Sequence, residues 1–271
     1  MQEFNQQELK NLFVPDPKSH KGQNGKVMVI GGSRLFHAAP LWSLKIASRI
    51  VDMVFFSSIE ENNQVVQNLK EEFGNGIVVP RSKVADYINE ADAVLIGPGL
   101  PRESGQEEGD EDTRKLTEDL LKKYPGKKWV IDGGSLQTID PSTIPANSIL
   151  TPHAKEFKTL FKVAPSERTV GEMAKKFSCV ILLKGPIDIV SNGEKTISIR
   201  GGNAGMTKGG TGDVLAGLVT ALDAKNEPLL AACSGSYINK KAGEKLAEKM
   251  GLYFNASDLA DEIPQVMKKL L

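Results

Sequence analysis

The stretch AVLIGPGLP, residues 93–101, shows the pattern from which the fold follows. Its first four residues are all apolar, and the run lacks the polar alternation of a half-exposed strand. Such a run predicts a strand that is covered on both faces, as in a parallel sheet between two layers of helices. The glycines that follow predict a tight turn at the carboxyl end of that strand.

The same pattern recurs along the chain. Similar apolar runs are VMVI (27–30), MVFF (53–56), GIVV (76–79), WVI (129–131), SIL (148–150) and CVILL (179–183). Helical patterns alternate with them at roughly 40–51, 62–72, 111–124, 154–162 and 167–177. Strand and helix in repeated alternation predict an α/β fold with a mostly parallel sheet and right-handed crossovers.

Residues 187–200 depart from this alternation. IDIV, SNGE and KTISIR predict an antiparallel hairpin with its turn at Asn192-Gly193, near the end of the sheet. After residue 212 the chain is predicted to be helical, with breaks near 226–228 and 255–257. The acidic stretch 101–112 is predicted to be an exposed loop. Because no long linker interrupts the chain, residues 1–271 are predicted to form a single domain.

The composition limits the classes of function. The chain has 271 residues with 34 basic and 34 acidic side chains, and this balance argues against a nucleic-acid or anionic-membrane surface. No apolar run is long enough to span a membrane, and the polar N-terminal segment is unlike a signal peptide, so a cytoplasmic protein is predicted. Cys179 and Cys233 are predicted to be buried, unpaired thiols.

The most informative segment for function is GGNAGMTKGGTGDVLAG, residues 201–217. Six glycines precede Asp213, and an apolar helical stripe begins at Val214. A glycine-rich turn at a helix start presents unpaired backbone N–H groups at the positive end of the helix dipole, which can bind phosphate. An acid beside such an anion hole can accept a proton from a hydroxyl group that attacks phosphorus.

The simpler interpretation is a flexible loop in which Asp213 only caps the helix. A cap does not require the glycines and Thr211 that precede it. The segment contains no Gly-Lys-Ser/Thr, so it is not a Walker loop. It also follows a hairpin, whereas the dinucleotide-binding G-x-G-x-x-G motif follows the first strand of a βαβ unit.

Polar and glycine clusters follow nearly every predicted strand. GGSRLFHAAP follows the first strand, and DGGS, TPHAKE and KGP follow later ones. Each cluster alone is compatible with ordinary turn chemistry. Because ligands bind at the carboxyl ends of strands in such sheets, the clusters together predict an active site at that edge.

These segments, in this order, resemble the NAD(P)H-hydrate dehydratase family, which has a ribokinase-like fold. The matching segments are HKGQNGKVMVIGGS (20–33), FHAAP (36–40), IGPGLP (96–101), VIDGGSL (130–136), LTPHAKEF (150–157), LLKGPIDIV (182–190) and GNAGMTKGGTGDVLAG (202–217). The resemblance implies a three-layer sandwich and a nucleotide-dependent repair reaction that dehydrates NADHX or NADPHX. It favours ADP as the phosphoryl donor, with ATP as the alternative used by eukaryotic members.

The resemblance also implies roles for individual residues. Asp213 matches the acid that meets the substrate hydroxyl. The anion hole is matched by Gly209, Gly210, Thr211 and Gly212, and the nucleotide site by Lys184, Gly185, Pro186, Ile187 and Asp188 together with Gly212. Taken alone, Lys184 is equally compatible with a solvated lysine at a strand end.

Substrate-binding positions are implied at Ala39, Gly97, Gly99, His153 and Asp213. Ala38 stands where the family has glycine before this alanine, and Asp132 is followed by Gly133-Gly134 where the family has a second acid, so Asp132 is predicted only to line the site. Glu156, one turn after His153, is a candidate for holding Mg²⁺ through water, although histidine replaces the asparagine of the related kinase pattern.

Two alternatives remain open at this point. A kinase of the same superfamily, acting on a vitamin precursor or a sugar, would use the same Asp213 and anion hole but release a stable phosphoester. A nucleotide-binding regulatory protein would not need the acid at all. The T-P-H-A-K-E and H-K-G segments favour the dehydratase. The expected partners are small-molecule nucleotides and, by resemblance, three further copies in a homotetramer.

Overall fold

The computed structural model describes residues 1–68, 74–102 and 111–271. Within them, one 10-stranded sheet has the order β1-β10-β9-β8-β7-β6-β5-β2-β3-β4. The strands are β1 (Gln2–Glu3), β2 (Lys26–Ile30), β3 (Met53–Ser57), β4 (Ile77–Val78), β5 (Ala93–Ile96), β6 (Lys128–Ile131), β7 (Ile149–Leu150), β8 (Val180–Leu183), β9 (Asp188–Ser191) and β10 (Thr196–Ile199). Only β9 runs antiparallel to its neighbours, β8 and β10.

Helices connect these strands. They are α1 (Ala38–Ala47), α2 (Glu60–Asn68), α3 (Val84–Glu90), α4 (Thr113–Lys123), α5 (Gly133–Thr138), α6 (Ala154–Phe161), α7 (Glu167–Lys176), α8 (Thr211–Asp223), α9 (Pro228–Met250) and α10 (Ala256–Leu270). None of these helices, in the described ranges, has the length and apolar character needed to cross a bilayer.

The predicted strands, the hairpin and the helical C-terminal part are confirmed. Two helices were missed, α3 and α5, because the first is a short amphipathic turn and the second begins in the glycine pair after Asp132. The edge strand β1 was also missed, since two exposed polar residues carry no strand signal. Residues 69–72 of the predicted helix 62–72, and residues 103–110 of the predicted acidic loop, lie outside the described residues.

The sheet separates two hydrophobic cores, which makes the fold a three-layer sandwich. Alternate residues of β2 divide between them, because successive side chains of a strand point to opposite faces. Val27 and Val29 pack with helices α1, α8, α9 and α10. Met28 and Ile30 pack with α3 to α7. Both cysteines are buried and unpaired, as predicted.

Helices α1 and α8 approach closely at Gly217, and this contact fixes the position of the glycine-rich segment. A Cβ at position 217 would lie 2.6 Å from the backbone of Ser43. The Ser43 hydroxyl donates to the Asp213 carbonyl at 2.7 Å. The first turn of α8 is therefore held directly against α1.

We expect Gly217→Ala to lower the melting temperature by about 5 °C. Overlap with a backbone costs about 1–3 kcal/mol, more than the roughly 1 kcal/mol that alanine gains over glycine in a helix. A loss of 1 kcal/mol corresponds to about 2–4 °C in a chain of this size. Gly126→Ala is the matched control, because nothing lies within 4 Å of a Cβ there. Equal melting temperatures for the two variants would contradict the close approach.

Asp223, at the end of α8, is a buried acid. It lies near Lys128 at the amino ends of the strands, opposite the predicted site. Both its carboxylate oxygens are buried without a hydrogen-bond partner among the described residues. The nearest cation is Lys128, whose Nζ lies 3.9 Å from Oδ1. Burial raises the pKa of Asp223 to about 7.

Asp223 should therefore make the protein less stable as the pH rises from about 4 to about 7. Between these pH values the carboxyl is ionised in the unfolded chain but stays largely protonated in the folded protein. Three pKa units correspond to about 4 kcal/mol, so we expect Asp223→Asn to raise stability by about 2–4 kcal/mol more at pH 8 than at pH 4. Thermal melts at both pH values test this, with the exposed Asp119→Asn as control; a pH-independent effect would contradict it.

Candidate active site

Four neighbouring strands bring the predicted site residues to one edge of the sheet. β5, β6, β7 and β8 are adjacent and parallel. Gly97, Asp132, Thr151 and Lys184 are the first residues after these strands. The backbone ladder continues for one step beyond the strands, since Asp132 N–H donates to the Ile96 carbonyl at 3.0 Å. The strand ends thus place these four residues side by side.

Asp132 and Lys184 form a buried ion pair. Lys184 Nζ donates to Asp132 Oδ1 at 2.8 Å, and the Thr151 hydroxyl donates to the same oxygen at 2.7 Å. Asp132 is 2% exposed. A lysine with this partner is not the freely solvated residue of the simpler interpretation. Asp132, predicted only to line the site, holds the lysine in place.

His153 begins α6 and is tied to Glu156 in a capping box. Its Nδ1 accepts hydrogen bonds from the N–H groups of Lys155 and Glu156, and Glu156 Oε2 accepts from His153 N–H at 2.9 Å. With Nδ1 as the acceptor, the imidazole carries its proton on Nε2, which lies 3.3 Å from Glu156 Oε1. Burial lowers the pKa of His153, and Lys184 lowers it further, so the ring is neutral near pH 7.

Glu156 itself is buried next to this cluster. Burial raises its pKa to about 7, although the nearby Lys184 opposes the rise. Its Oε1 also accepts from Gln137 Nε2 at 3.3 Å. Both carboxylate oxygens therefore have partners within the protein, and Glu156 orients His153.

The glycine-rich segment turns sharply before α8. Gly210 has a φ of 91°, a left-handed conformation that favours glycine, and a Cβ there would lie 2.3 Å from the Trp42 ring. The Thr211 hydroxyl donates to the carbonyls of Met206 at 2.6 Å and Lys208 at 2.8 Å. Gly209 is exposed, with nothing within 4 Å of a Cβ position. The turn is thus fixed on one side by Trp42 and open on the other.

Asp213 lies in the first turn of α8, next to Lys184. The first backbone bond of the helix runs from Val214 N–H to the Gly210 carbonyl. Before it, the Thr211 N–H donates to the Lys208 carbonyl at 3.4 Å, whereas by helix geometry the Gly212 amide has no carbonyl acceptor within the helix. Burial raises the pKa of Asp213 to about 7, with a further rise from Asp132 and an opposing effect of Lys184. A pKa near the working pH suits a general base, which acts in its deprotonated form.

Lys184 connects the two halves of the site. A Cβ built on Gly212 would lie 3.3 Å from its Nζ, so the ammonium lies against the predicted anion hole. Burial by itself lowers the pKa of Lys184, but Asp132, Glu156 and Asp213 raise it overall. Lys184 is therefore a permanent positive charge between the acids of the strand ends and the start of α8.

The Gly-Pro-Gly turn after β5 is shaped by close backbone contacts. Gly97 has a φ of 120°, and a Cβ there would lie 1.8 Å from the Asp132 carbonyl oxygen. A Cβ on Gly99 would lie 3.1 Å from the Ala39 Cβ, in the first turn of α1. Ala39, Gly97 and Gly99 thus lie together beside Asp132, where the substrate was predicted to bind.

The predicted nucleotide segment has an exposed loop and a buried end. Gly185, Pro186 and Ile187 are exposed, whereas Asp188 is 4% exposed. Asp188 Oδ1 accepts from Gly185 N–H at 2.8 Å. The Asp188 carboxylate is therefore engaged within the protein, and its predicted contact with a nucleotide is restricted to the backbone.

The residues of the site do not form a metal cage. No group of three His, Cys, Asp or Glu side chains across 1–68, 74–102 and 111–271 could hold a metal ion. Magnesium commonly binds through substrate phosphates, waters and one or two carboxylates. Both oxygens of Glu156 already have partners in the protein, so the predicted contact of Glu156 with Mg²⁺ would have to run through water.

Several residues of the site were not found from the sequence. Gln137 donates to Glu156 and Trp42 packs against the turn at Gly210, and no motif distinguishes these two side chains. Thr151 belongs to the T-P-H-A-K-E segment, but its hydrogen bond to Asp132 could not be inferred from that segment. The H-K-G segment, part of the family resemblance, lies outside the site. Its Gly22 N–H is bound by Asp52 at 2.7 Å, at the amino end of β2 and away from the site.

A three-layer α/β sandwich with a glycine-rich turn before a helix and an acid in the first turn of that helix is the arrangement of the ribokinase-like class. Among solved structures, the chain is similar to an ADP/ATP-dependent NAD(P)H-hydrate dehydratase from Bacillus subtilis, co-crystallised with ATP/Mg²⁺. The TM-score is 0.84 at 21% identity, covering 100% of this chain and 99% of that one. A hydroxyethylthiazole kinase from Pyrococcus horikoshii has a TM-score of 0.58 at 19% identity, covering 96% and 92%. These likenesses establish the fold.

The chain belongs to the NAD(P)H-hydrate dehydratase family, whose model matches residues 27–265. It is 37% identical to the bifunctional NAD(P)H-hydrate repair enzyme Nnr of Methanocaldococcus jannaschii, over 96% of this chain and 52% of the relative. It therefore spans about half the length of the bifunctional relatives. It is 36% identical to the ADP-dependent (S)-NAD(P)H-hydrate dehydratase of Nitrosopumilus maritimus, over 96% of this chain and 95% of the relative.

Proposed function

We propose that the protein is an ADP-dependent (S)-NAD(P)H-hydrate dehydratase that repairs hydrated NADH and NADPH. The observation that carries the proposal is the position of Asp213, an acid of pKa about 7 at the helix start that borders the Lys184 ammonium. Family membership and the name of the full-length relative from Nitrosopumilus maritimus support the substrate and the donor.

In the proposed first step Asp213 acts as the general base. It takes the proton of the hydrate hydroxyl while that oxygen attacks the terminal phosphorus of ADP. A bond forms between oxygen and phosphorus, and the bond to the leaving AMP oxygen breaks. Because charge spreads over the transferring group in such reactions, catalysis depends on positioning and electrostatic stabilisation.

The negative charge of that group is met by two features of the chain. Gly209, Gly210, Thr211 and Gly212 form the proposed anion hole at the positive end of α8, with the Thr211 N–H shared with the Lys208 carbonyl at 3.4 Å. Lys184 supplies a full positive charge next to Gly212, held by Asp132. We propose that this pair of features stabilises the transferring phosphoryl group more than the ground-state nucleotide.

In the second step the phosphate ester breaks down: the bond between the ring carbon and the ester oxygen breaks, and phosphate leaves. Phosphate is a far better leaving group than hydroxide, so elimination with loss of a proton from the neighbouring carbon restores the ring double bond. The products are NAD(P)H, AMP and phosphate. We propose that neutral His153 contacts the hydrated nicotinamide, since Glu156 fixes its orientation, and that Ala39, Gly97 and Gly99 bind the same substrate.

Magnesium is proposed to accompany the nucleotide. It would supply charge neutralisation on the phosphates, with a water on Glu156 as its contact with the protein. Gly185, Pro186, Ile187 and Asp188 are proposed to hold the nucleotide through backbone groups, together with Lys184 and Gly212. ATP is the alternative donor, in keeping with the ADP/ATP-dependent name of the Bacillus subtilis structure.

The wider biological setting is also proposed. We infer one ribokinase-like domain over residues 1–271, because all strands of the described residues join one sheet. A cytoplasmic location and a homotetramer follow from the family resemblance, with free nucleotides as the ligands.

The reaction is tested by supplying acid-made hydrated NADH with ADP, and separately with ATP, and following the reduced-nicotinamide absorbance. We expect recovery of absorbance with stoichiometric AMP and phosphate when ADP is the donor. The matched assay offers vitamin-precursor alcohols and sugars with the same donors. No recovery of absorbance, together with a stable phosphoester from one of those alcohols, would establish the kinase alternative.

A further inference from the structure

Helix α9 carries a buried lysine that contacts both predicted nucleotide-binding segments. Lys240 is 6% exposed. Its Nζ donates to the carbonyls of Gly185 at 3.1 Å, Pro186 at 3.3 Å and Gly201 at 3.4 Å. A lysine ammonium has three protons, so these carbonyls use its full donor capacity. One side chain thus joins the loop after β8 to the start of the glycine-rich segment.

The charge of Lys240 is balanced inside the protein. Its Nζ lies 3.3 Å from Asp188 Oδ1, the same oxygen that accepts from Gly185 N–H. The other oxygen, Oδ2, accepts from the Ser236 hydroxyl at 2.7 Å. Ser236 and Lys240 are four residues apart and share one face of α9. One face of α9 therefore holds the exposed loop 185–187 in place.

The same helix face continues along the glycine-rich segment. Glu244, four residues after Lys240, accepts from Gly202 N–H through Oε1 at 3.0 Å. Asn203 Nδ2 donates to the Gly243 carbonyl at 2.7 Å. The segment that leads to the anion hole is held on the helix that also holds the loop after β8. Helix α9 therefore sets the separation between the two segments.

We propose that Lys240 is a positioning residue for the nucleotide: it fixes the backbone of residues 185–186 relative to the glycine-rich segment. This inference rests on the proposed function, in which the loop after β8 and the anion hole bind one nucleotide between them. Lys240 touches neither the nucleotide nor the hydrate in this scheme. Its loss should therefore weaken nucleotide binding while leaving the hydrate site at Ala39, Gly97 and Gly99 unchanged.

The test is the dissociation constant of ADP with Mg²⁺, measured by calorimetry on the whole chain without hydrate. We expect Lys240→Met to raise it at least tenfold and to raise KM for ADP in parallel, with KM for hydrated NADH within twofold of wild type. Lys245→Met is the matched control. It removes another lysine of α9, which pairs with Glu248 Oε2 at 2.6 Å, and should leave ADP binding unchanged.

A purely structural lysine would lower the melting temperature without changing ADP affinity of the folded protein, so an ADP dissociation constant within twofold of wild type overturns the proposal. Because Lys240→Met leaves Asp188 as an unpaired buried charge, Lys240→Met with Asp188→Asn is the second variant and is read by the same criterion. A wild-type protein that binds neither ADP nor ATP would instead contradict the proposed function.

Discussion

Asp213→Asn is expected to reduce turnover of hydrated NADH about 10³- to 10⁴-fold while the dissociation constant for ADP stays within about threefold. General-base catalysis contributes about 10²–10⁴-fold, and an amide cannot take the proton of the hydroxyl. The size and the helix position of the side chain are preserved, so the anion hole remains. Loss of turnover with intact nucleotide binding would show that Asp213 is a catalytic base and does more than cap the helix.

Asp223→Asn is the matched control for this variant. Asp223 is another acid of α8 whose pKa burial raises to about 7, but it lies at the far end of the helix. We expect its substitution to leave kcat and KM within twofold of wild type. If Asp213→Asn retained more than a tenth of wild-type turnover, Asp213 would not be the base.

The pH dependence of kcat/KM should also identify Asp213 as the base. A general base acts when deprotonated, so kcat/KM should rise with pH up to about 7, the pKa of Asp213, and then level off. Glu156 also has a pKa raised to about 7 by burial. Glu156→Gln distinguishes the two acids: the acidic limb should persist in this variant if it belongs to Asp213.

Lys184→Met is expected to lower kcat/KM by about 10²–10³, the range for removal of one preorganised group that stabilises developing charge. Lys184 also lowers the pKa of Asp213 and of Glu156. Its removal should therefore move the acidic limb of the pH profile to higher pH. That shift is measured from kcat/KM between pH 5 and 9.

Removal of Lys184 leaves Asp132 buried without its counter-charge, which can destabilise the fold. The double variant with Asp132→Asn removes both charges and should recover stability without recovering activity. Lys158→Met, on the exposed face of α6, is the control for a general change of charge. A kcat/KM within threefold of wild type in the folded double variant would show that Lys184 has no part in phosphoryl transfer.

The sequence predicted the sandwich because its signals are local. An apolar run such as AVLI (93–96) must be covered on both faces, whatever the rest of the chain does. The Asn192-Gly193 turn likewise specifies a hairpin by its own conformational preferences. Elements without such signals were missed, among them α3 and the two-residue edge strand β1.

The candidate site divides in the same way. The glycines before α8 and the acid at 213 form a local motif, so the proposed anion hole and its proposed base could be inferred from adjacent residues. The roles of Asp132 and Lys184 could not, since 52 positions separate two groups that lie 2.8 Å apart. The role of Glu156 could not be inferred for a related reason. The sequence suggested a magnesium contact, but its carboxylate is hydrogen-bonded to His153 and Gln137, and only the fold brings Gln137 there.

The sequence by itself determined the α/β architecture, and it predicted the carboxyl ends of the strands as the ligand site and Asp213 as the reactive acid. Tertiary structure decided which charges balance one another and what raises the pKa of that acid. The physical reason is the distance along the chain over which each effect acts. Backbone preference and hydrophobic periodicity act over a few residues, whereas burial and electrostatic pairing depend on which distant segments the completed fold places together.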